Sequence, residues 1–190
     1  MYQCKILSRA EITDVYNRYM KEDFPKDELK PLSMIMSSLD REQYICYGIS
    51  NGEQLCGYAC IAYIEENSRK YCLLDYFATV KEFRSQGIGT DFLKLLRSEL
   101  SDAEVLLCET ESPECTSGEE KDTRERRIAF YHRSSFIDTG VSASVFGVNY
   151  MILELSLQRE HTQEEIREYY SALYRSFLPE KLYNRFITIN

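Results

Sequence analysis

The chain has 190 residues, 44% hydrophobic and 28% charged, with 23 Lys and Arg against 31 Asp and Glu for a formal charge of −8. Apolar content of that order in one chain of this length builds a sizeable core without disulfide or metal staples, which excludes disordered, collagen-like and disulfide-scaffold classes. The acid excess, with no Lys/Arg block of five or more, argues against nucleic acid or an anionic membrane as partner, because both need a basic face.

Helix one is expected from Ser8, where Glu11 completes a capping box and Ile12, Val15, Tyr16 and Tyr19 recur at helical spacing up to Phe24-Pro25. A second helix is expected over 27–39, from Asp27 to Leu39, with Pro31 near its start and Leu32, Ile35, Met36 and Leu39 on one stripe. Extended runs follow, Tyr44 to Ile49 and Gln54 to Ile64, joined by an Asn51-Gly52 turn that predicts a hairpin. The run from Gln54 is apolar on both alternating sets, so it reads as a central strand covered on both faces. Tyr71 to Thr79 is a strand with one polar intruder, Asp75. Ile88, Phe92, Leu95, Leu96 and Leu100 mark a helix, and Val105 to Thr110 is a short buried strand.

Glu111 to Glu125 has the composition of a mobile loop. A helix is then expected from about Arg124 to Ser134, two strands over 136–157 turning at Phe146-Gly147, and an amphipathic helix from the Thr162/Glu165 capping box to Pro179. Strand, helix, strand through 71–110 implies a parallel pair with a right-handed crossover inside an otherwise antiparallel sheet. The fold class expected is α/β: a single domain with a mixed, mostly antiparallel sheet and helices on both faces, plus an extra C-terminal helix.

The seven cysteines (4, 46, 56, 60, 72, 108 and 115) are dispersed in mostly apolar runs and read as reduced core thiols. With His132 and His161 the only histidines, no zinc spacing can be assembled, so no metal is expected. The first ten residues lack a signal-peptide core and no eighteen apolar residues run together, so a cytoplasmic location is expected.

Chemistry concentrates at Lys81 to Thr90, between a buried strand and an amphipathic helix. Gly87 and Gly89 remove side chains where the backbone turns into the helix, so N–H groups there can converge on an anion at the positive helix end, with Arg84 as a charge-assisted contact. Neither a Gly-Lys-Ser/Thr phosphate loop nor GxGxxG is present. The stretch Arg84-Ser85-Gln86-Gly87-Ile88-Gly89 instead resembles the Arg/Gln-x-x-Gly-x-Gly signature of the GNAT (Gcn5-related) N-acetyltransferases. Further on, Phe130-Tyr131 and Ser135-Phe136 resemble the family's Phe-Tyr, three residues, Gly-Phe junction, with Ser135 in place of Gly.

The resemblance implies an acyl-CoA N-acyltransferase-like domain over 1–160, with 161–190 as a C-terminal helical extension packed on it. It implies acetyl-CoA as co-substrate, its pyrophosphate held by Arg84, Ser85, Gln86, Gly87, Ile88, Gly89 and Thr90, and its pantetheine arm paired with the backbone of Phe77, Ala78 and Thr79. It also implies Tyr131 as the acid that protonates the departing thiolate. The attacking amine must lose a proton, for which Glu109 is the first candidate base and Asp75 the second; Glu111 lies close behind in sequence. His132 is expected at the surface, and Cys108 is not expected to be a nucleophile. The acceptor implied is a primary amine of a small molecule or peptide, and the protein a monomer or homodimer. The alternative is an acyl-CoA-binding sensor or scaffold with the same fold and no turnover.

Overall fold

Seven consecutive residues, Cys56 to Ala62, are buried in β3 (Gln54–Glu66), as a strand apolar on both alternating sets requires. A computed structural model, which describes residues 2–26 and 28–190, places it third in an eight-stranded sheet. The chain order is β1 (Gln3–Ile6), α1 (Arg9–Val15), a π-helical turn (Tyr16–Met20), α2 (Lys21–Asp23), α3 (Leu32–Asp40), β2 (Tyr44–Asn51), β3 and β4 (Arg69–Thr79). It continues with α4 (Ile88–Glu99), β5 (Val105–Glu111), α5 (Glu119–Arg133), β6 (Ile137–Val145), β7 (Val148–Ser156), α6 (Gln163–Phe177), α7 (Glu180–Phe186) and β8 (Ile187–Ile189). The strand order in the sheet is β1-β2-β3-β4-β5-β7-β6-β8.

The pairs β1/β2, β2/β3, β5/β7, β6/β7 and β6/β8 are antiparallel. Neighbours β4 and β5 are joined through α4, and the Glu104 N–H donates to the Lys70 carbonyl at 2.8 Å, so their starts lie together and they run parallel. The fold is therefore α/β with a mixed, mostly antiparallel sheet. Among the described residues no helix is long and apolar enough to cross a membrane.

The chain forms two compact units, Met1–Tyr63 with Leu74–Ser98, and Ile64–Leu73 with Glu99–Asn190. In the first, Ile12, Val15, Tyr16 and Met20 bury one stripe of the leading helices, and α4 buries Ile88, Phe92, Leu93 and Leu96, each worth roughly 1.5–3 kcal/mol as a large apolar side chain. In the second, Val105 to Cys108 are buried in β5, and α6 buries Ile166, Tyr169, Tyr170 and Leu173. The Tyr169 ring stacks on Tyr71 with centroids 4.0 Å apart. Both expected capping boxes form, at Ser8/Glu11 and Thr162/Glu165.

Several elements depart from expectation. The helix expected from Arg124 begins at Glu119, so the stretch expected as a mobile loop is partly helical, with a 3-10 turn at Pro113–Cys115. Its first half carries charge on every face, so no apolar stripe announces it; ion pairs Arg124–Glu120 and Lys121–Glu125 and three acidic residues in the first turn support it instead. Strand β1, helix α7 and strand β8 are too short to show a period. Helix α3 starts at Leu32 after Pro31, and its expected start at Asp27 lies outside the described residues.

Gly57 on β3 sets how closely β4 can approach. A Cβ there would lie 2.8 Å from the Ala78 carbonyl oxygen and 3.1 Å from Ile49 Cγ2, and the backbone atom cannot yield cheaply. Gly57→Ala is expected to cost about 1–3 kcal/mol, which thermal unfolding reads as a drop in Tm of roughly 3–10 °C.

Candidate active site

Strand β4 ends at Thr79, a 3-10 turn follows over Lys81–Phe83, and α4 opens at Ile88. Ser85 (φ +62°) and Gly87 (φ +82°) are left-handed, with Gln86 of ordinary φ between them, an alternation that turns successive N–H groups toward one side. The first helical hydrogen bond runs from Asp91 N–H to the Gly87 carbonyl at 3.2 Å, so the amides of Ile88, Gly89 and Thr90 have no partner within the helix. Ser85, Gln86 and Gly87 are exposed, whereas Ile88 is buried and pins the helix start to the core. The Gln86 side chain is spent locally, donating from Nε2 to the Glu82 carbonyl at 3.0 Å.

Arg84 also has partners of its own. Its Nε donates to the Thr79 carbonyl at 3.1 Å and its Nη2 to Asp23 Oδ1 at 2.6 Å. The other oxygen of Asp23 accepts from the Tyr58 hydroxyl at 2.7 Å. Of the expected pantetheine-pairing segment, the Thr79 carbonyl is thus engaged by Arg84, Ala78 lies against Gly57, and the Phe77 ring packs 5.5 Å from Phe92.

The acid-base candidates are each held by neighbours. In the first unit, Asp75 accepts from Lys30 Nζ at 2.7 Å on both oxygens and from the Tyr44 hydroxyl. In the second, Glu109 at the end of β5 accepts on one oxygen from the hydroxyls of Tyr170 and Tyr174, the latter at 2.5 Å. These two α6 tyrosines carry no sequence signal tying them to Glu109, because they share the stripe that reads simply as core. Glu111 pairs with Arg124 at 2.9 Å.

Tyr131 is buried on α5, and its hydroxyl hydrogen-bonds the Cys108 thiol. Burial, then the neighbouring Cys108, pushes the phenol well above its ordinary value, so it stays protonated at physiological pH. Burial likewise pushes the Cys108 thiol up to about 12, which disfavours the thiolate that a nucleophile needs. His132 is exposed. Among the described residues no group of three or more His, Cys, Asp or Glu is placed to hold a metal ion.

The end of α5 explains the motif around Tyr131. Phe136 N–H donates to the Tyr131 carbonyl at 3.1 Å and Ser135 N–H to the His132 carbonyl at 3.1 Å, the two bonds of a Schellman cap. The Tyr131 and Phe136 rings meet edge to face at 5.1 Å across that cap. Its hinge residue, Ser135, is left-handed at φ +71°, the conformation that favours Gly. The spacing from Tyr131 to Phe136 is thus a capping geometry that fixes the tyrosine on its helix.

The acetyltransferase (GNAT) family pattern matches residues 9–136, and the chain belongs to this family. Solved structures share the fold. A GNAT-family acetyltransferase from Bacteroides thetaiotaomicron, described as putative, is 19% identical with a TM-score of 0.64, over 87% of this chain and 92% of that one. The ribosomal-protein-S18-alanine N-acetyltransferase of Escherichia coli is 16% identical with a TM-score of 0.61, over 85% and 97%. A point mutant of the spermidine N-acetyltransferase of Vibrio cholerae is 10% identical with a TM-score of 0.61, over 82% and 94%. No curated protein sequence matches the chain significantly.

Because Ser135 is exposed and left-handed, Ser135→Gly is expected to relieve backbone strain, raising unfolding stability by about 1 kcal/mol in urea titration with the m-value unchanged.

Proposed function

We propose that this protein is an N-acetyltransferase that moves an acetyl group from acetyl-CoA to a primary amine of a small molecule or peptide. The observation that carries this reading is the exposed turn into α4, where amides from Ser85 to Thr90 gather at a positive helix end whose first internal hydrogen bond is made only by Asp91. Backbone N–H groups gathered at a helix start suit a diphosphate, so Ser85, Gln86, Gly87, Ile88, Gly89 and Thr90 are the residues proposed to hold that part of acetyl-CoA. The bound thioester supplies the activated acetyl group. The backbone of Phe77, Ala78 and Thr79 is proposed to align the pantetheine arm.

Tyr131 is the proposed proton donor to the departing thiolate; burial keeps it a phenol and the Schellman cap fixes its helix position. Glu109 is the proposed base for the amine, with Asp75 as the second candidate. The acceptors for which two fold neighbours are named, a ribosomal-protein alanine and spermidine, both present amines, which supports the acceptor class. We further propose a cytoplasmic location, a monomer or homodimer, and the segment 161–190 as an extension of the acetyltransferase domain.

One observation favours a second reading. Asp75, Glu109 and Tyr131 are all engaged by side chains of the same chain, as in a module that binds acyl-CoA without turnover.

An amine-panel assay with acetyl-CoA, read by free-thiol release and product mass, separates the two. Acetyl transfer to at least one amine is expected, with Tyr131→Phe lowering kcat by about 10²- to 10⁴-fold while acetyl-CoA still binds. Binding without turnover across the panel favours the second reading, and absence of binding overturns both.

A further inference from the structure

The sequence motif singles out Arg84 as a phosphate contact, yet two of its guanidinium nitrogens are already engaged within the first unit. Nε is committed to the carbonyl that ends β4, at Thr79, and Nη2 to a carboxylate that ends the leading helical segment, at Asp23. Asp23 is in turn fixed from β3 by Tyr58, which is completely buried. Asp23 itself is largely buried, with 14% of its side chain exposed, against 52% for Arg84. Burial and the Asp23 hydrogen bond both raise the Tyr58 phenol, so it remains a donor and the carboxylate remains the acceptor. The chain Tyr58, Asp23, Arg84, Thr79 therefore ties a core strand, a helix end and the end of β4 to the residue immediately before left-handed Ser85.

The geometry points to Asp23 as a positioning residue for acetyl-CoA binding: by holding the Arg84 guanidinium against the Thr79 carbonyl, it sets the turn from which the amides of Ser85 to Thr90 face the diphosphate. This rests on the proposed reading of that turn. Three features make the bracket specific. The two Arg84 bonds leave from different nitrogens in fixed directions, which a planar guanidinium provides and an ammonium does not. The carboxylate uses one oxygen for Arg84 and the other for Tyr58, so its orientation is set from two sides. The Thr79 carbonyl belongs to the last residue of β4, so tilting the guanidinium moves the strand end and the turn together. The charge of Arg84 is balanced by Asp23, and the anion is left to the helix amides.

The test is a double-mutant cycle on acetyl-CoA affinity, measured by calorimetry on the full chain with Asp23→Asn, Arg84→Gln and the pair, alongside Tm for each. Each single variant is expected to weaken binding about five- to twentyfold, the scale of a partly exposed charge-assisted hydrogen bond. The pair is expected to be no weaker than the worse single variant, because both remove one device. Arg84→Lys is expected to behave like Arg84→Gln, since charge alone does not rebuild the two bonds. In steady-state assays, KM for acetyl-CoA is expected to rise by more than kcat falls. Losses that multiply in the pair, or full rescue by Arg84→Lys, show Arg84 acting directly on phosphate and overturn the bracket while leaving the reading of the turn intact. Failure of the unsubstituted protein to bind acetyl-CoA overturns that reading and the bracket with it. A Tm drop in Asp23→Asn with unchanged affinity assigns it to stability alone and likewise overturns the inference.

Discussion

The junction between β4 and α4 has to satisfy two buried elements at once. Phe77 and Phe92 pack together on either side of it, and Ile88 is anchored in the core at the first helical position. The backbone between them must therefore turn in the open, and it does so by placing Ser85 and Gly87 in left-handed conformations. A helix that begins this way cannot pair its leading amides internally. Core packing on both sides thus produces, as a geometric by-product, an outward-facing set of donors at the positive end of a helix dipole. The binding reading depends on that constraint more than on any charged side chain.

The charged and phenolic groups follow a different rule. Asp23, Asp75, Glu109 and Glu111 each accept from a neighbour in their own unit, and those neighbours are mostly tyrosines or cations. A half-buried carboxylate without partners is costly, so a fold with this many near its core supplies donors to each of them. Such groups are well oriented. For chemistry, an orienting hydrogen bond is useful only where it leaves the reacting atom reachable, which is why kinetics rather than the resting hydrogen bonds decides between Glu109 and Asp75.

Long periodic segments were legible in the sequence because burial writes its own period: the alternation-free run of β3 and the α6 stripe appear where the pattern puts them, and so does the α4 stripe except that Leu93 is buried and the expected Leu95 only half-buried. The glycine-bearing turn was legible for a related reason, since positive φ at Gly87 leaves a residue signature. The left-handed Ser85 and Ser135 leave none, as serine is common in every conformation. The front of α5 has no sequence period because it is held by ion pairs rather than an apolar face, and the π-helical turn at Tyr16–Met20 has none of its own because a one-residue widening barely disturbs helical periodicity. The links from Asp23 to Arg84 and from Tyr170 and Tyr174 to Glu109 span about sixty residues each, and nothing local announces them.

That last pair alters how the C-terminal segment is understood. Helix α6 buries Tyr170 and Leu173 while two of its tyrosines reach Glu109 at the end of β5, and Tyr169 stacks on Tyr71 at the start of β4. It therefore touches both strands of the parallel pair, one near its beginning and the other near its end. A helix attached only for solubility would present a polar face and few directed bonds. Here the directed bonds terminate on Glu109, so α6 is an integral part of the second unit's packing even though the family pattern ends at residue 136, before it begins.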